Sequence, residues 1–598
     1  MLEFSLPARY QVPSGGNLSD LVHQNAEQHS DVAVLSRKLD GQWVDLTASQ
    51  FLAEVHSAAK GLIAAGVNPG DRVGVMSRTR YEWTLLDFAV WCAGAITVPV
   101  YETSSAEQVA WILGDSGAVA VVTETDTHAA LVAGLRDRLP ALAHTWQIER
   151  GALAELASAG ARVADSTVTE RRSVPDADSI ATIVYTSGTT GRPKGCQLTH
   201  GNFMAELGNV TARLEPLFRT GHSSVLLFLP LAHVLGRIAE IAAAIAPIKL
   251  GHVSDIKDVT AELASFRPTL ILGVPRVFEK VYNTARAKAQ ADGKGKIFDQ
   301  AADTAIAYSR ALDHGRPGLA LRLKHTVFDK LVYSKLRAAL GGRATHAISG
   351  GAPLGERLGH FYRGIGFTVL EGYGLTETCA ATAFNPHDRP KIGTVGQPLP
   401  GSAVRIAEDG EVLLKGPQVF TGYWNNPAAT AEALRDGWFA TGDLGSLDAD
   451  GYLTITGRKK EILVTAGGKN VAPAVIEDRI RAHALIGEVM VVGDRKPFIA
   501  CLVTIDEDFF PKWKELAGKP AGATIADLRD DADLLKAVQS AVDDGNQAVS
   551  QAEAVKKFHV LDTVFSEESG HLTPSLKLKR NVVMKDYAAE VEGLYRRP

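Results

Sequence analysis

Short runs of valine and isoleucine, bounded by glycine or aspartate, alternate between Leu62 and Val122 with longer stretches whose apolar residues recur every three or four positions. "GVNPGDRVGVMS", "RYEWTLLDFAVWCAGAITVPVY" and "SAEQVAWILGDSGAVAVVTET" are three such stretches in succession. A strand-like run followed by a helix-like period predicts βαβ units, and βαβ units lay their strands in parallel. The rhythm returns from Ser223 to Val281 and from Thr345 to Gly374, so one large α/β region occupies most of the chain.

Between about Asn283 and Leu340 glycine thins and lysine, arginine and alanine rise. There "FDKLVYSKLRAAL" sets Phe328, Leu331, Val332, Leu336 and Ala339 at helical spacing, which predicts a helical excursion packed on the sheet. From Gly396 the texture changes to short alternating strands and glycine turns, "GSAVRIAEDGEVLLKGPQVFTGYW", a small β subdomain over about 396–457. After "GYLTITGRKKEI" the strands of "EVMVVGDRKPFIACLVTID" and the helix of "DADLLKAVQSAVDDGNQAVSQ" suffice for a separate domain. The expected fold is α/β: a large N-terminal domain over 1–457 and a small α+β C-terminal domain over 458–598.

Composition narrows the function classes. At 598 residues the chain exceeds one ordinary core, and 45% hydrophobic with 22% charged residues is globular. A net charge of -5 provides no basic footprint for nucleic acid, which leaves a small-molecule substrate. Cys92, Cys196, Cys379 and Cys501 are scattered without zinc-ligand or disulfide spacing, which fits a reducing cytoplasm. The start "MLEFSLPARYQVPSGG" lacks the basic, continuously apolar form of a signal peptide. Stretches such as "IAEIAAAIAPIKL" are too short to span a bilayer, so membrane contact, if any, is peripheral. Oligomeric state is not encoded in any of these features.

The chemistry begins at "YTSGTTGRPKG", Tyr185 to Gly195. Glycines let backbone amides approach an anion, and hydroxyls with Arg192 and Lys194 add donors and charge, so phosphate is the natural guest. It is not a P-loop, because Lys194 is followed by Gly195 where Ser or Thr is required. "EGYGLTET" fails the dinucleotide pattern at its last glycine, and neither a G-x-S-x-G elbow nor an HExxH motif is present.

In order along the chain stand "LPLAHVLGR", "GVPRVFEK", "ISGGAPL", "YGLTET", "GWFATGDLG", "GRKKEILVTAGGKNVAP" and "LTPSLKLKRN". As a set, from near residue 20 to the end, they resemble the adenylate-forming superfamily, specifically the AMP-forming long-chain acyl-CoA synthetases. The resemblance implies ATP, Mg2+ and coenzyme A as cofactor, metal and co-substrate. It also implies two half-reactions: a fatty carboxylate attacks the α-phosphorus of ATP and releases pyrophosphate, then the coenzyme A thiol displaces AMP.

Carried over residue by residue, the resemblance makes Thr186, Ser187, Gly188, Thr189, Thr190, Gly191 and Lys194 the phosphate loop. Glu377 matches the metal carboxylate and Thr376 the α-phosphate contact. Tyr373, followed by Gly374, matches the aromatic at the adenine, with Gly350, Gly351 and Ala352 as the opposite wall. Asp443 matches the ribose carboxylate and Arg458 the second ribose and phosphate contact. Lys577, framed as Thr-Pro-x-x-Lys, matches the adenylation lysine, with Lys579 as its competitor. Lys460 stands at the hinge, Gly467 and Gly468 beside the pantetheine tunnel, and His233 beside the acyl carboxylate. The alternatives are a fatty acyl-AMP ligase loading a carrier protein, and a nucleotide-binding protein without turnover.

Overall fold

The computed structural model describes residues 2–186, 192–573 and 577–596. Two large sheets carry the N-terminal domain. One orders the strands Gly422–Tyr423, Lys194–Thr199, Ile180–Thr186, Ile96–Val100, Arg72–Met76, Ala120–Thr123 and His144–Gln147. The other runs from Gln397–Pro398 through Ala383–Phe384, Thr368–Tyr373, His346–Ser349, Leu270–Gly273, Ser224–Leu227, Lys249–His252 and Ala33–Leu39 to Gln42–Thr47. Pairing is parallel in the middle of each sheet and antiparallel toward both edges of the second; in the first it is antiparallel at the Gly422–Tyr423 edge and parallel at the His144–Gln147 edge.

Parallel strands are covered on both faces, which is why "ITVPV" and "AVVT" are buried throughout instead of alternating. The helix Tyr81–Cys92 has no polar stripe: Trp83, Leu85, Leu86, Phe88 and Trp91 are all buried. It belongs to one apolar core that is continuous with residues of both sheets. A third, antiparallel sheet gathers Ala403–Ile406, Glu411–Lys415, Leu434–Arg435, Trp438–Leu447 and Leu453–Arg458, with Glu3–Ser5 added from the N-terminus.

The C-terminal domain has cores of its own. In Ile486–Val492 and Ile499–Ile505 side chains alternate: Val489, Val491, Cys501 and Val503 face one cluster with the helices Pro473–Arg481 and Ala532–Asn546. Met490, Val492, Ala500 and Leu502 face the other, with Val583, Val591 and Leu594 of the terminal helices. Period two thus sorts one three-stranded sheet into two cores.

One expectation is corrected. Phe328 and Leu336 are buried and Val332 half-buried, but Leu331 and Ala339 are exposed. The residues Asp329–Tyr333 form a π-helical turn. An i→i+5 turn holds an extra residue, so the inward face passes from Phe328 to Tyr333 rather than to Leu331.

Candidate active site

The carboxyl ends of the parallel strands open on a long cleft whose opposite wall is C-terminal domain. This is where open α/β sheets place ligands. Thr186 closes one strand and Lys194 opens its antiparallel partner, paired in register, so the two ends of the glycine-rich segment meet. Ser187, Gly188, Thr189, Thr190 and Gly191 lie outside the described residues. The flank after them is pinned: Trp111 Nε1 donates to the Pro193 carbonyl at 2.8 Å, and Arg192 stands 4.7 Å from the Trp111 ring. Tyr185 on the other flank donates to Asp115 at 2.7 Å.

Lys194 lies 5.0 Å from the ring of Tyr423, and the Tyr423 hydroxyl donates to Glu377 Oε1 at 2.7 Å. The strand Gly422–Tyr423 pairs with Lys194–Thr199, so the sheet itself carries Tyr423 between the lysine and the carboxylate. Thr376 and Glu377 sit on the 3₁₀ turn Thr376–Thr378, which leaves through Cys379 and Ala380 at φ 55° and 102°. Left-handed alanine is strained, and such strain persists where surrounding contacts impose it. Here Gly374 is one of those contacts: a Cβ on it would stand 1.9 Å from the Ala380 carbonyl oxygen.

On the side expected to take the nucleoside the structure brings together Tyr373, Asp443 and Arg458. Tyr373 donates to Asp443 Oδ2 at 2.6 Å and Arg458 Nε stands 3.1 Å from Oδ1. Asp443 is 5% exposed, and burial raises its pKa against the opposing pull of Arg458 and Tyr373. Gly351 and Ala352 line the same cleft, whereas Gly350 is buried behind them near Gly372. Gly351 takes φ +84°, a turn that favours glycine. Glu371 holds the wall by accepting from the Leu354 amide at 2.9 Å, and burial moves its pKa up to about 7.

His233 caps the helix Val234–Ile245, its Nδ1 accepting from the Leu235 amide at 3.1 Å. Burial, then the charge of Lys577, lower its pKa to about 4. The ring is neutral near pH 7 and, with Nδ1 accepting, carries its hydrogen on Nε2. One turn on, fully buried Arg237 meets Asp87 at 2.8 Å and ties the start of this helix to Tyr81–Cys92.

Lys577 occupies the cleft and keeps a solvent-facing surface. Desolvation and the Arg458 charge hold its ammonium below the usual lysine range, opposed by Asp443, Glu377 and Glu461. Lys579, immediately before the helix Arg580–Asp586, does not line the cleft, and its charge acts on Glu567. Lys460, on the 3₁₀ turn Lys459–Glu461, also borders the cleft. Gly467 and Gly468 do not: they sit in the exposed turn between Leu463–Val464 and Asn470–Val471.

Sequence reasoning missed Tyr423 and Arg237. Both stood in quoted segments, "FTGYW" and "LPLAHVLGR", but only cross-strand pairing and burial reveal what they touch. The arrangement converges three cations, Lys194, Arg458 and Lys577, with two carboxylates, Glu377 and Asp443, a set suited to a polyphosphate nucleotide.

Residues 22–424 match the AMP-binding enzyme family, and residues 460–598 match the AMP-binding enzyme C-terminal domain. The long-chain-fatty-acid–CoA ligase FadD15 of Mycobacterium bovis is 52% identical over 598 residues, all of both chains. FadD15 of Mycobacterium tuberculosis is likewise 52% identical over the full length. Among solved structures, ATP-bound MatB from Rhodopseudomonas palustris superposes with a TM-score of 0.69 at 24% identity, covering 96% of this chain and 99% of that one, a likeness of fold.

Proposed function

Because the chain belongs to the AMP-binding enzyme family, we propose that it joins long-chain fatty acids to coenzyme A through an acyl-adenylate. The observation that carries this reading is 52% identity, end to end, with a long-chain-fatty-acid–CoA ligase. In the first half-reaction a carboxylate oxygen attacks the α-phosphorus and pyrophosphate leaves. In the second the thiol sulfur attacks the acyl carbon and AMP leaves.

The geometry supports the following roles. Lys194 and the segment before it take the β and γ phosphates. The Glu377 carboxylate has one oxygen held by Tyr423, and among the described residues no three or more His, Cys, Asp or Glu side chains gather into a metal cage. That donor set fits magnesium, which prefers one or two carboxylates together with substrate phosphate oxygens and waters. Bound there, it would neutralise phosphate charge. Asp443 and Arg458 hold the ribose, Tyr373 and Gly351–Ala352 flank the adenine, and Thr376 contacts the α-phosphate. His233, with Nε2–H, orients the acyl carboxylate, and Lys577 neutralises charge between it and the phosphate.

The carrier-loading alternative is not favoured, since "GRKKEILVTAGGKNVAP" runs from the hinge without an inserted segment. Incubation with ATP, magnesium, palmitate and coenzyme A should yield palmitoyl-CoA, AMP and pyrophosphate in equal amounts. Bound palmitoyl-AMP that coenzyme A cannot discharge would refute the acceptor. Buried methylenes contribute about 0.8 kcal/mol each, so kcat/KM should climb with chain length. A flat profile from acetate upward would refute the substrate class.

The two half-reactions need Lys577 and then the Gly467–Gly468 turn at the same centre, so the C-terminal domain must turn about Lys460. Across the domain boundary, Arg276 on the helix Pro275–Ala291 meets Asp506 at 2.7 Å and Lys280 meets Asp508 at 2.9 Å. These pairs exist with Lys577 in the cleft and therefore favour the adenylating arrangement. Arg276→Glu should slow palmitate-dependent pyrophosphate exchange about two- to fivefold, as partly exposed pairs allow. Thioester formation from synthetic palmitoyl-AMP should be undiminished; equal loss in both assays would refute the latch.

A further inference from the structure

The helix Leu319–Phe328 and the π turn after it are held by their inner face. His325 Nε2 contacts the Gly364 carbonyl at 2.6 Å, Tyr333 donates to the Ala301 carbonyl at 2.7 Å, and Phe328 is buried. The outer face carries Leu319, Leu323, Val327 and Leu331, one every four residues, exposed by 76%, 70%, 56% and 52%. Single exposed apolar side chains are ordinary; four in line along one helical face are not.

Charge distinguishes what could cover this stripe. Between His314 and Ala338 stand Arg316, Arg322, Lys324, Lys330, Lys335 and Arg337, against the single acid Asp329. Asp329 is paired with Arg337 at 2.7 Å, so the five exposed cations flanking the stripe face no acid of this segment. The chain as a whole is acidic, at -5, so the basic character is local. An apolar ridge with cations along its sides matches an interfacial helix, leucines in the acyl boundary and cations at anionic headgroups. A second copy of this acidic chain would bring the same basic flanks to the contact and oppose it. No helix among the described residues is long and apolar enough to cross a membrane, so attachment here lies in the plane of the interface.

We infer that the Leu319–Leu331 face docks this protein on an anionic lipid bilayer. Its use, collecting a substrate that partitions into lipid, rests on the fatty-acid reading; the binding itself does not.

The test floats the full chain with phosphatidylcholine vesicles made with or without phosphatidylglycerol. The wild type should float with the anionic vesicles and be released by salt. Leu323→Asp/Val327→Asp, which changes only exposed positions, should weaken flotation at least about tenfold, and Lys324→Gln/Lys330→Gln by a comparable factor. Both variants should convert detergent-dispersed palmitate at the wild-type rate but lag on vesicle-borne palmitate. Failure of the wild type to float, or equal flotation of the variants, overturns the docking face. A wild-type dimer that Leu323→Asp/Val327→Asp dissolves also overturns it, assigning the stripe to a second copy. Flotation without any acyl-CoA from dispersed palmitate would leave the face standing and refute the ligase reading instead.

Discussion

Lys577→Ala should abolish formation of the acyl-adenylate while sparing its discharge. The side chain stands in the cleft among Arg458, Asp443 and Glu377, where adenylation brings a carboxylate against a polyphosphate. Removing a preorganised charge at developing anionic oxygens costs roughly 10²- to 10³-fold in rate. Palmitate-dependent exchange of pyrophosphate into ATP should fall by that factor. Conversion of synthetic palmitoyl-AMP and coenzyme A should change by no more than about twofold, because under the proposed rotation the C-terminal domain then presents a different edge.

Lys579→Ala is the matched control: its charge acts on Glu567, and Lys579 itself does not line the cleft. The pH profile adds a readout that folding defects would not produce. The ammonium is held below its ordinary value near 10.5 by desolvation and by Arg458. The protonated form is the useful one, so adenylation should decline as pH rises through this lowered pKa, earlier than for an ordinary lysine. Lys577→Arg, charged throughout, should move that alkaline limb upward even if it is slower overall. Equal loss of both half-reactions in Lys577→Ala would remove the lysine from its role.

How far the sequence reaches can be seen in particular residues. The βαβ rhythm was legible because burial on both faces leaves its mark locally, as in the wholly buried "AVVT". Asp443 and Arg458 could be paired in thought only through the order of motifs; in the fold they face each other across two antiparallel strands, registered residue to residue. Tyr423 had no such signal, since its partners Lys194 and Glu377 lie far away in the chain and reach it only when Gly422–Tyr423 joins the sheet. Leu331 shows the opposite failure. A helical period was read correctly, but one π turn, invisible to periodicity, rotated the face and turned a supposed core residue outward.

Asp443→Ala should fail differently from Lys577→Ala, and the contrast separates nucleotide binding from charge neutralisation. Oδ2 of Asp443 accepts from Tyr373 and Oδ1 faces Arg458, yet a carboxylate has about four lone-pair positions. Two therefore stay open for the ribose hydroxyls. Hydrogen bonds to a charged group contribute about 1.5–3 kcal/mol each, so losing both should lower kcat/KM for ATP by roughly 10²- to 10⁴-fold. Under the proposed roles Asp443 holds adenosine in both half-reactions, so the KM for synthetic palmitoyl-AMP should rise too, whereas Lys577→Ala should leave it nearly unchanged. Arg458 is 48% exposed and stays solvated without its partner, and the unpaired Tyr373 hydroxyl costs about 1–3 kcal/mol, so the variant should fold. Asp443→Asn keeps the shape but turns one acceptor into a donor, and it should recover little of the loss. Burial raises the Asp443 pKa, so kcat/KM for ATP should decline on the acid side at higher pH than an ordinary aspartate would dictate, and that limb should be missing in Asp443→Asn. A KM for ATP within about twofold of wild type in Asp443→Ala would show that the ribose is held elsewhere.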